Sequence, residues 1–288
     1  MMKRPFKKLF YIFILFMVLW SFLAQGCMSF RITDEEAKKQ FRDKGLDVTV
    51  KSVVVNKRNI HYASAGDEDK PSLVFIHGTP GSWNAFIQYM QDKELLARYR
   101  IMSVDRPGFG YSDFGKVMNL SDQATILNEW WKQVGNKKPV YLIGHSLGGP
   151  LIIKMAADQP ASYNGLVIIS GSIDPAEEKA ERWRVALFKT PLNYFLPGAF
   201  RPSNKELWYL KQDLRDLKAD FIRIRIPVYF IHGENDSWVP PANVEFGKQM
   251  LKNANLVGEL MLSNGTHFIP WTHYKEIKEV LLKIQNVK

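Results

Sequence analysis

The 288-residue sequence contains a single cysteine, Cys27, so no disulfide can close within the chain. It has no His-Glu-x-x-His, no cysteine cluster and no Walker loop, so the usual zinc, iron–sulfur and P-loop signatures are missing. Neither a metal nor a cofactor is expected. Internal repeats and low-complexity segments are absent. No basic tract beyond the first eight residues is long enough to argue for nucleic acid. The formal net charge is nevertheless +10, from 39 Lys and Arg against 29 Asp and Glu. Four of the cations (Lys3, Arg4, Lys7 and Lys8) stand in the first eight residues, so a surface near anionic lipid accounts for the excess equally well. The whole chain is 46% hydrophobic and 24% charged, enough for one large core in one or two domains.

The first 26 residues read as a targeting segment. KRPFKK is followed by LFYIFILFMVLWSFLA, residues 9–24, an uncharged run of sixteen. That is slightly long for an export signal and short for a comfortable membrane span. No Arg-Arg pair points to twin-arginine export. The run closes on LAQGC, residues 23–27, which resembles a bacterial lipoprotein lipobox, with Gly26 directly before Cys27 and Leu23 and Ala24 behind it. Ala24 stands where that pattern more often has Leu. The resemblance implies cleavage before Cys27, acylation of Cys27 and export of the rest of the chain, held on a membrane of the bacterial envelope and facing the periplasm or the cell surface. Each buried acyl methylene contributes about 0.8 kcal/mol, so more than one chain makes the anchorage stable. The other reading is an uncleaved signal anchor with an incidental cysteine. Residues 27–46, polar and charged after the cysteine, read as a lipidated tether or a short amphipathic helix.

From residue 47 onward strands and helices alternate. DVTVKSVVV (47–55) and NIHYASA (59–65) form a hairpin pattern, and SLVFIHG (72–78) is a continuous apolar run of the kind buried on both faces. RIMSVDRPG (100–108), VYLIGHS (140–146), GLVIISG (165–171) and PVYFIHG (227–233) have the same form. Helical spacing fills 120–135, 147–160, 240–253 and 273–286, the first with Ser121 or Asp122 as a cap and Gly135 as a stop. The expectation is an α/β domain over 47–288, with a mostly parallel central sheet and helices on both faces. Residues 172–225 break the alternation. They are rich in aromatics and prolines and read as a small helical cap inserted between two strands.

Ligands in open α/β sheets bind at the carboxyl ends of the strands. Ser146 follows one such end, between Gly144 and Gly148. A sharp strand-to-helix turn there demands residues without side chains beside the serine and exposes its hydroxyl next to a helix N-terminus. Leu147 N–H then becomes an oxyanion donor. A serine hydroxyl needs a histidine base, and the base an orienting carboxylate. Asp236 follows PVYFIHG, and His267 stands in GTHF, after the last strand. The other acids that could serve are Asp174, then Glu234 and Asp213; the other histidine is His273. His61 lies in the hairpin, His77 and His232 read as loop-orienting residues, and His145 as pointing away from the serine. Taken singly, Asp236 is an ordinary turn residue and His267 an ordinary loop hydrogen-bonder. Pro80 has no N–H, which leaves Thr79 as the second oxyanion donor in HGTPGSW, 77–83. Pro150, early in the next helix, leaves the Ser146 carbonyl without its usual helical donor.

HGTPGSW, DRPGFGYS (105–112), GHSLGG (144–149), HGENDSWVP (232–240) and GTHF (265–268) together resemble the α/β-hydrolase superfamily from about residue 48 to the C-terminus. The resemblance implies a serine hydrolase with Ser146, Asp236 and His267 as its triad and DRPGFGYS as a structural loop beside the site. Serine at the nucleophile position, where epoxide hydrolases and haloalkane dehalogenases carry a carboxylate, implies acyl transfer to water. The aromatic segment suits a small hydrophobic acyl or aryl group as readily as it suits simple packing, and an esterase leads. HGTPGS loosely resembles the HGGPG loop of proline iminopeptidases, with Thr79 for the central glycine, so an aminopeptidase stands second. A noncatalytic surface lipoprotein on the same fold is the reading from another class.

Overall fold

The computed structural model describes residues 4–179 and 181–286. Residues 1–3 of the expected signal, with Lys3, residue 180 of the expected cap and residues 287–288 lie outside the described residues.

Eight strands form one sheet: β1 (Thr49–Val55), β2 (Arg58–Ala65), β3 (Ser72–Ile76), β4 (Arg100–Val104), β5 (Val140–His145), β6 (Gly165–Ile169), β7 (Val228–Gly233) and β8 (Val257–Leu262). Their order is β1-β2-β4-β3-β5-β6-β7-β8. β2 runs antiparallel to β1 and β4; every other pair is parallel. The helices of nine residues or more are α1 (Arg4–Gly26), α2 (Asp34–Arg42), α3 (Leu120–Val134), α4 (Gly148–Asp158), α5 (Phe200–Leu217), α6 (Ala242–Met250) and α7 (Tyr274–Lys283). This is the α/β-hydrolase fold.

The strand period of two explains why the apolar runs are continuous. In β3, Val74 and Ile76 enter one core cluster and Leu73 and Phe75 the other; in β5, Val140 and Leu142 oppose Tyr141 and Ile143 in the same way. The first cluster packs under α3, α4, α5 and α6, the second under α2, α7 and the segment from Trp83 to Leu95. Each buried Leu, Ile, Val or Phe side chain contributes about 1.5–3 kcal/mol.

Two segments differ from the sequence-based expectation, and a third settles between two expected forms. α3 is capped by Asn119, whose side chain accepts the Asp122 N–H, so neither Ser121 nor Asp122 is the cap. Residues 31–46 take the second form expected of them, a short amphipathic helix (α2), and are not a free tether. Ala37 and Phe41 of α2 are fully buried in the second cluster, and Arg31 donates to Gly110 O. Nor is all of 172–225 a cap. A short α-helix at Trp183–Phe188, a 3-10 helix at Pro191–Phe195 and the start of α5 cover the site, but Leu210, Leu214, Leu217, Phe221 and Ile224 belong to the main core.

α1 is one apolar helix whose stretch Phe6–Ala24, with mean hydropathy 1.9, is long and apolar enough to cross a membrane. At about 1.5 Å per residue, 19 residues approach the thickness of a bilayer core. Its end rests on the cap: Trp20 Nε1 donates to Phe195 O at 3.0 Å, and Gly198 N to Ala24 O at 2.7 Å. Cys27 follows directly and is exposed.

Candidate active site

β5 delivers Ser146 into the left-handed region, at φ +55. The turn is held by the ladder, since Ser146 N donates to Ile169 O at 3.0 Å. A Cβ on Gly144 would stand 2.3 Å from Gly148 O, and one on Gly148 2.3 Å from Ile76 O. Only glycine fits either position, because both backbones are already in contact. Pro150 cannot donate to the Ser146 carbonyl, which instead accepts from Gly149 N at 2.9 Å and Ser172 N at 3.3 Å.

β7 ends in the turn that carries Asp236, and the loop after β8 carries His267. His267 Nδ1 lies 2.8 Å from Asp236 Oδ2. The other carboxylate oxygen accepts the amides of Trp238 at 3.0 Å and Val239 at 2.8 Å. Burial pushes the Asp236 carboxyl up, but the hydrogen bond and charge of His267, the Val239 amide and the nearby Ser170 hydroxyl outweigh it and hold the group below its ordinary value. Ser170, itself at φ +44, is fully buried with no hydrogen bond of regular geometry, and that carboxylate is the acceptor it faces.

Ser146 and His267 line one cleft of about 670 Å³, together with Thr79, Leu147 and Trp238. Neither Thr79 N–H nor Leu147 N–H donates to a protein acceptor among the described residues. Thr79 Oγ1 is buried and has no partner either. The cleft is walled by Trp183, Leu196, Phe200 and Leu207 and also by three glutamates, Glu177, Glu178 and Glu181. Glu181 pairs with Arg184, and Glu178 accepts the Ser172 hydroxyl.

The competing residues lie elsewhere in their bonding. Asp174 Oδ1 accepts the Ala176 amide, and Glu234 is exposed. Asp213 accepts the amide of Leu120, and burial raises its carboxyl to about 6. His273 meets Thr272 on the surface. His77 and His232 do orient loops, His77 through Gly78 O and the Arg106 amide, His232 through Val239 O.

His145, expected to point away from the serine, makes its hydrogen bond to the backbone of the other loop. Its Nε2 donates to the His267 carbonyl at 3.0 Å, and the two rings lie 4.8 Å apart. Burial, then the charge of His267, pushes His145 down to about 3, so it stays a neutral donor. Trp238 also packs against the His267 ring, at 5.4 Å and 31°. The histidine before the serine and the tryptophan after the acid both stand in the quoted motifs; what was missing was the approach of the two loops.

A family model described as the alpha/beta hydrolase fold matches residues 71–203. Epoxide hydrolase 1 of Caenorhabditis elegans is 30% identical over 118 residues, 40% of this chain, and the chain spans only 28% of that protein. A pimeloyl-[acyl-carrier protein] methyl ester esterase of Nitrosomonas europaea is 25% identical over 240 residues, 69% of this chain and 90% of the esterase. The crystal structure of a membrane phospholipase A, described as a bacterial virulence factor, superposes with a TM-score of 0.64 at 18% identity, covering 99% of this chain and 100% of that one. Strand order, the family match over 71–203 and these relatives agree on the α/β-hydrolase fold and support a place in that superfamily.

Proposed function

We propose that the chain is a serine hydrolase that cleaves an ester or other acyl bond through Ser146, His267 and Asp236. The observation that carries this reading is a left-handed serine in a cleft shared with a histidine whose far nitrogen is bonded to a buried carboxylate. His267 Nε2 takes the Ser146 proton as Oγ attacks the substrate carbonyl. The resulting oxyanion accepts from Leu147 N–H and Thr79 N–H, neither of which has an acceptor among the described residues. Collapse expels the leaving group, which takes the proton from His267. Water, deprotonated by the same imidazole, then attacks the acyl-serine ester and releases the acid. Asp236 holds the Nδ1–H tautomer, and His145 holds the backbone that carries the ring. No cofactor enters any step.

The substrate proposed is a small hydrophobic acyl or aryl ester, seated against the cap's apolar walls. The protein works outside the cytoplasm on a membrane, held by acylated Cys27 or by α1 itself. Its cap, on which α1 rests, lies beside that surface. The three glutamates of the cleft favour a second reading, release of an N-terminal residue that carries an ammonium group.

A fluorophosphonate probe tests the nucleophile: wild type is labelled and Ser146→Ala is not. Full labelling of Ser146→Ala overturns the assignment, and absence of both labelling and turnover by wild type returns the chain to a binding module. A chain-length series of p-nitrophenyl esters run beside aminoacyl-arylamides separates the two substrates. Metabolic labelling with an alkynyl fatty acid tests Cys27: loss of label in Cys27→Ser supports acylation, and an unlabelled wild type leaves α1 as the anchor.

A further inference from the structure

The loop that carries Thr79 is held from beneath by a buried ion pair that reaches into the cap. Gly78 O accepts two hydrogen bonds, from His77 Nδ1 at 2.7 Å and from Arg106 Nη2 at 3.0 Å. The Gly78–Thr79 peptide is trans, so the Thr79 N–H points opposite to that carbonyl. Gly78 itself lies against the serine: a Cβ there would stand 2.7 Å from Ser146 Cβ and 3.3 Å from Ser146 Oγ. Drawing the carbonyl inward therefore turns the neighbouring amide out toward the cleft that Thr79 and Ser146 share.

Arg106 is fully buried. Its Nη1 and Nη2 meet Glu206 Oε1 at 2.6 Å and Oε2 at 3.0 Å, a two-pronged pair that fixes the guanidinium plane. Gln123 of α3 closes the ring, accepting from Arg106 Nη1 at 2.8 Å and donating to Glu206 Oε1 at 2.8 Å. Phe109 packs on the guanidinium at 4.7 Å. The Arg106 backbone amide donates to His77 Nε2 at 3.0 Å, so the same residue also fixes the tautomer of the other donor to Gly78 O. Glu206 sits on α5, whose neighbouring residues Ser203, Asn204 and Leu207 line the cleft.

A buried ion pair is a poor way to gain stability, because both groups lose their water. Here the pair has a geometric use. We propose that Arg106 is a positioning residue for the second oxyanion donor. Glu206 holds it in place, so the aim of the Thr79 amide depends on how α5 sits over the site. The inference rests on the serine-hydrolase reading above.

The test compares wild type, Arg106→Lys, and the double variant Arg106→Met/Glu206→Gln, which removes both charges and leaves neither buried alone. Full-length enzyme is assayed with p-nitrophenyl butyrate and with a butyl trifluoromethyl ketone, which forms a tetrahedral adduct on the serine. Circular dichroism establishes that each variant is folded. Loss of a single oxyanion donor costs about 10²–10³ in rate, and a misaimed donor somewhat less. The double variant is expected to lose roughly 10–100-fold in kcat, to bind the ketone weaker by a similar factor, and to keep KM within about threefold. Arg106→Lys, which retains one donor for Gly78 O, is expected to recover part of both losses. A folded double variant with kcat and ketone affinity within about twofold of wild type makes the pair purely structural and overturns the inference alone. Wild-type turnover by Ser146→Ala, or a wild type that neither turns over ester nor takes the fluorophosphonate, overturns the hydrolase reading and this inference with it.

Discussion

His267 Nδ1 sits 2.8 Å from Asp236 Oδ2, and the second oxygen of that carboxylate is tied to the amides of Trp238 and Val239. The acid is thereby fixed by its own turn before it fixes the histidine. Asp236→Asn keeps the size of the side chain and loses the charge that favours the correct tautomer. The expected loss in kcat is about 10⁴-fold, measured on p-nitrophenyl butyrate with protein shown to be folded. Because the folded-state pKa of Asp236 is depressed, its contribution to stability is present above the ordinary carboxylate value of about 3.9 and lost as pH falls through the lower folded value. Urea titrations between about pH 5 and 2.5 are expected to show a steeper loss in wild type than in Asp236→Asn.

The turn at Ser146 gives a prediction on stability rather than rate. Gly148→Ala would bring a methyl carbon within 2.3 Å of Ile76 O, a backbone atom inside the sheet that has no freedom to withdraw. Overpacking of this kind costs about 1–3 kcal/mol. The guanidinium midpoint is expected to fall accordingly, and fluorophosphonate labelling of the surviving folded fraction to slow. An unchanged midpoint would mean that the elbow can open without cost.

These two sites were legible in the sequence for the same reason. Continuous apolar runs mark strands buried on both faces, and the residues that end them fall on one rim, whatever lies between. Strand ends bring Ser146, Asp236 and His267 to one rim, and the motifs around them single them out from Asp174, Glu234 and His273. Arg106 and Glu206 are not found in this way. They are 100 residues apart, and only the packing of α5 over the loop after β4 brings them together. α5 itself was obscured because its first half covers the cleft while Leu210, Leu214 and Leu217, at helical spacing, enter the core. The aromatic content of the surrounding segment masked that stripe.

His61 joins α2 to the catalytic rim, with Nδ1 2.8 Å from Asp105 Oδ2 and Nε2 3.1 Å from Asp34 Oδ1. Burial lowers its pKa, but the bond and charge of Asp105, then those of Asp34, outweigh burial and raise it. A raised histidine stabilises fully below its ordinary value of about 6.5, and the stabilisation is lost as pH rises through the folded value. Above that pH the neutral ring has one N–H for two carboxylates. The melting temperature of wild type is expected to fall between about pH 6 and 8.5 by roughly 2 °C more than that of His61→Gln. Hydrogen exchange should place the loosening in residues 34–42.

Trp238 separates substrate binding from chemistry. Its ring lies over His267 at 31°, yet 65% of the residue is exposed at the mouth of the cleft. Phe268 packs edge-on against it at 5.1 Å, so the ring is held in place without substrate. An acyl chain entering the cleft covers part of that apolar face, worth about 1–2 kcal/mol, or roughly a tenfold change in affinity. Trp238→Ala is therefore expected to raise KM about tenfold for a p-nitrophenyl ester long enough to reach the mouth. It should change KM much less for the acetate and leave kcat within about threefold for both. The opposite pattern, a fall in kcat at constant KM for every chain length, would show that the ring acts by holding the imaidazole of His267 and not by receiving the substrate.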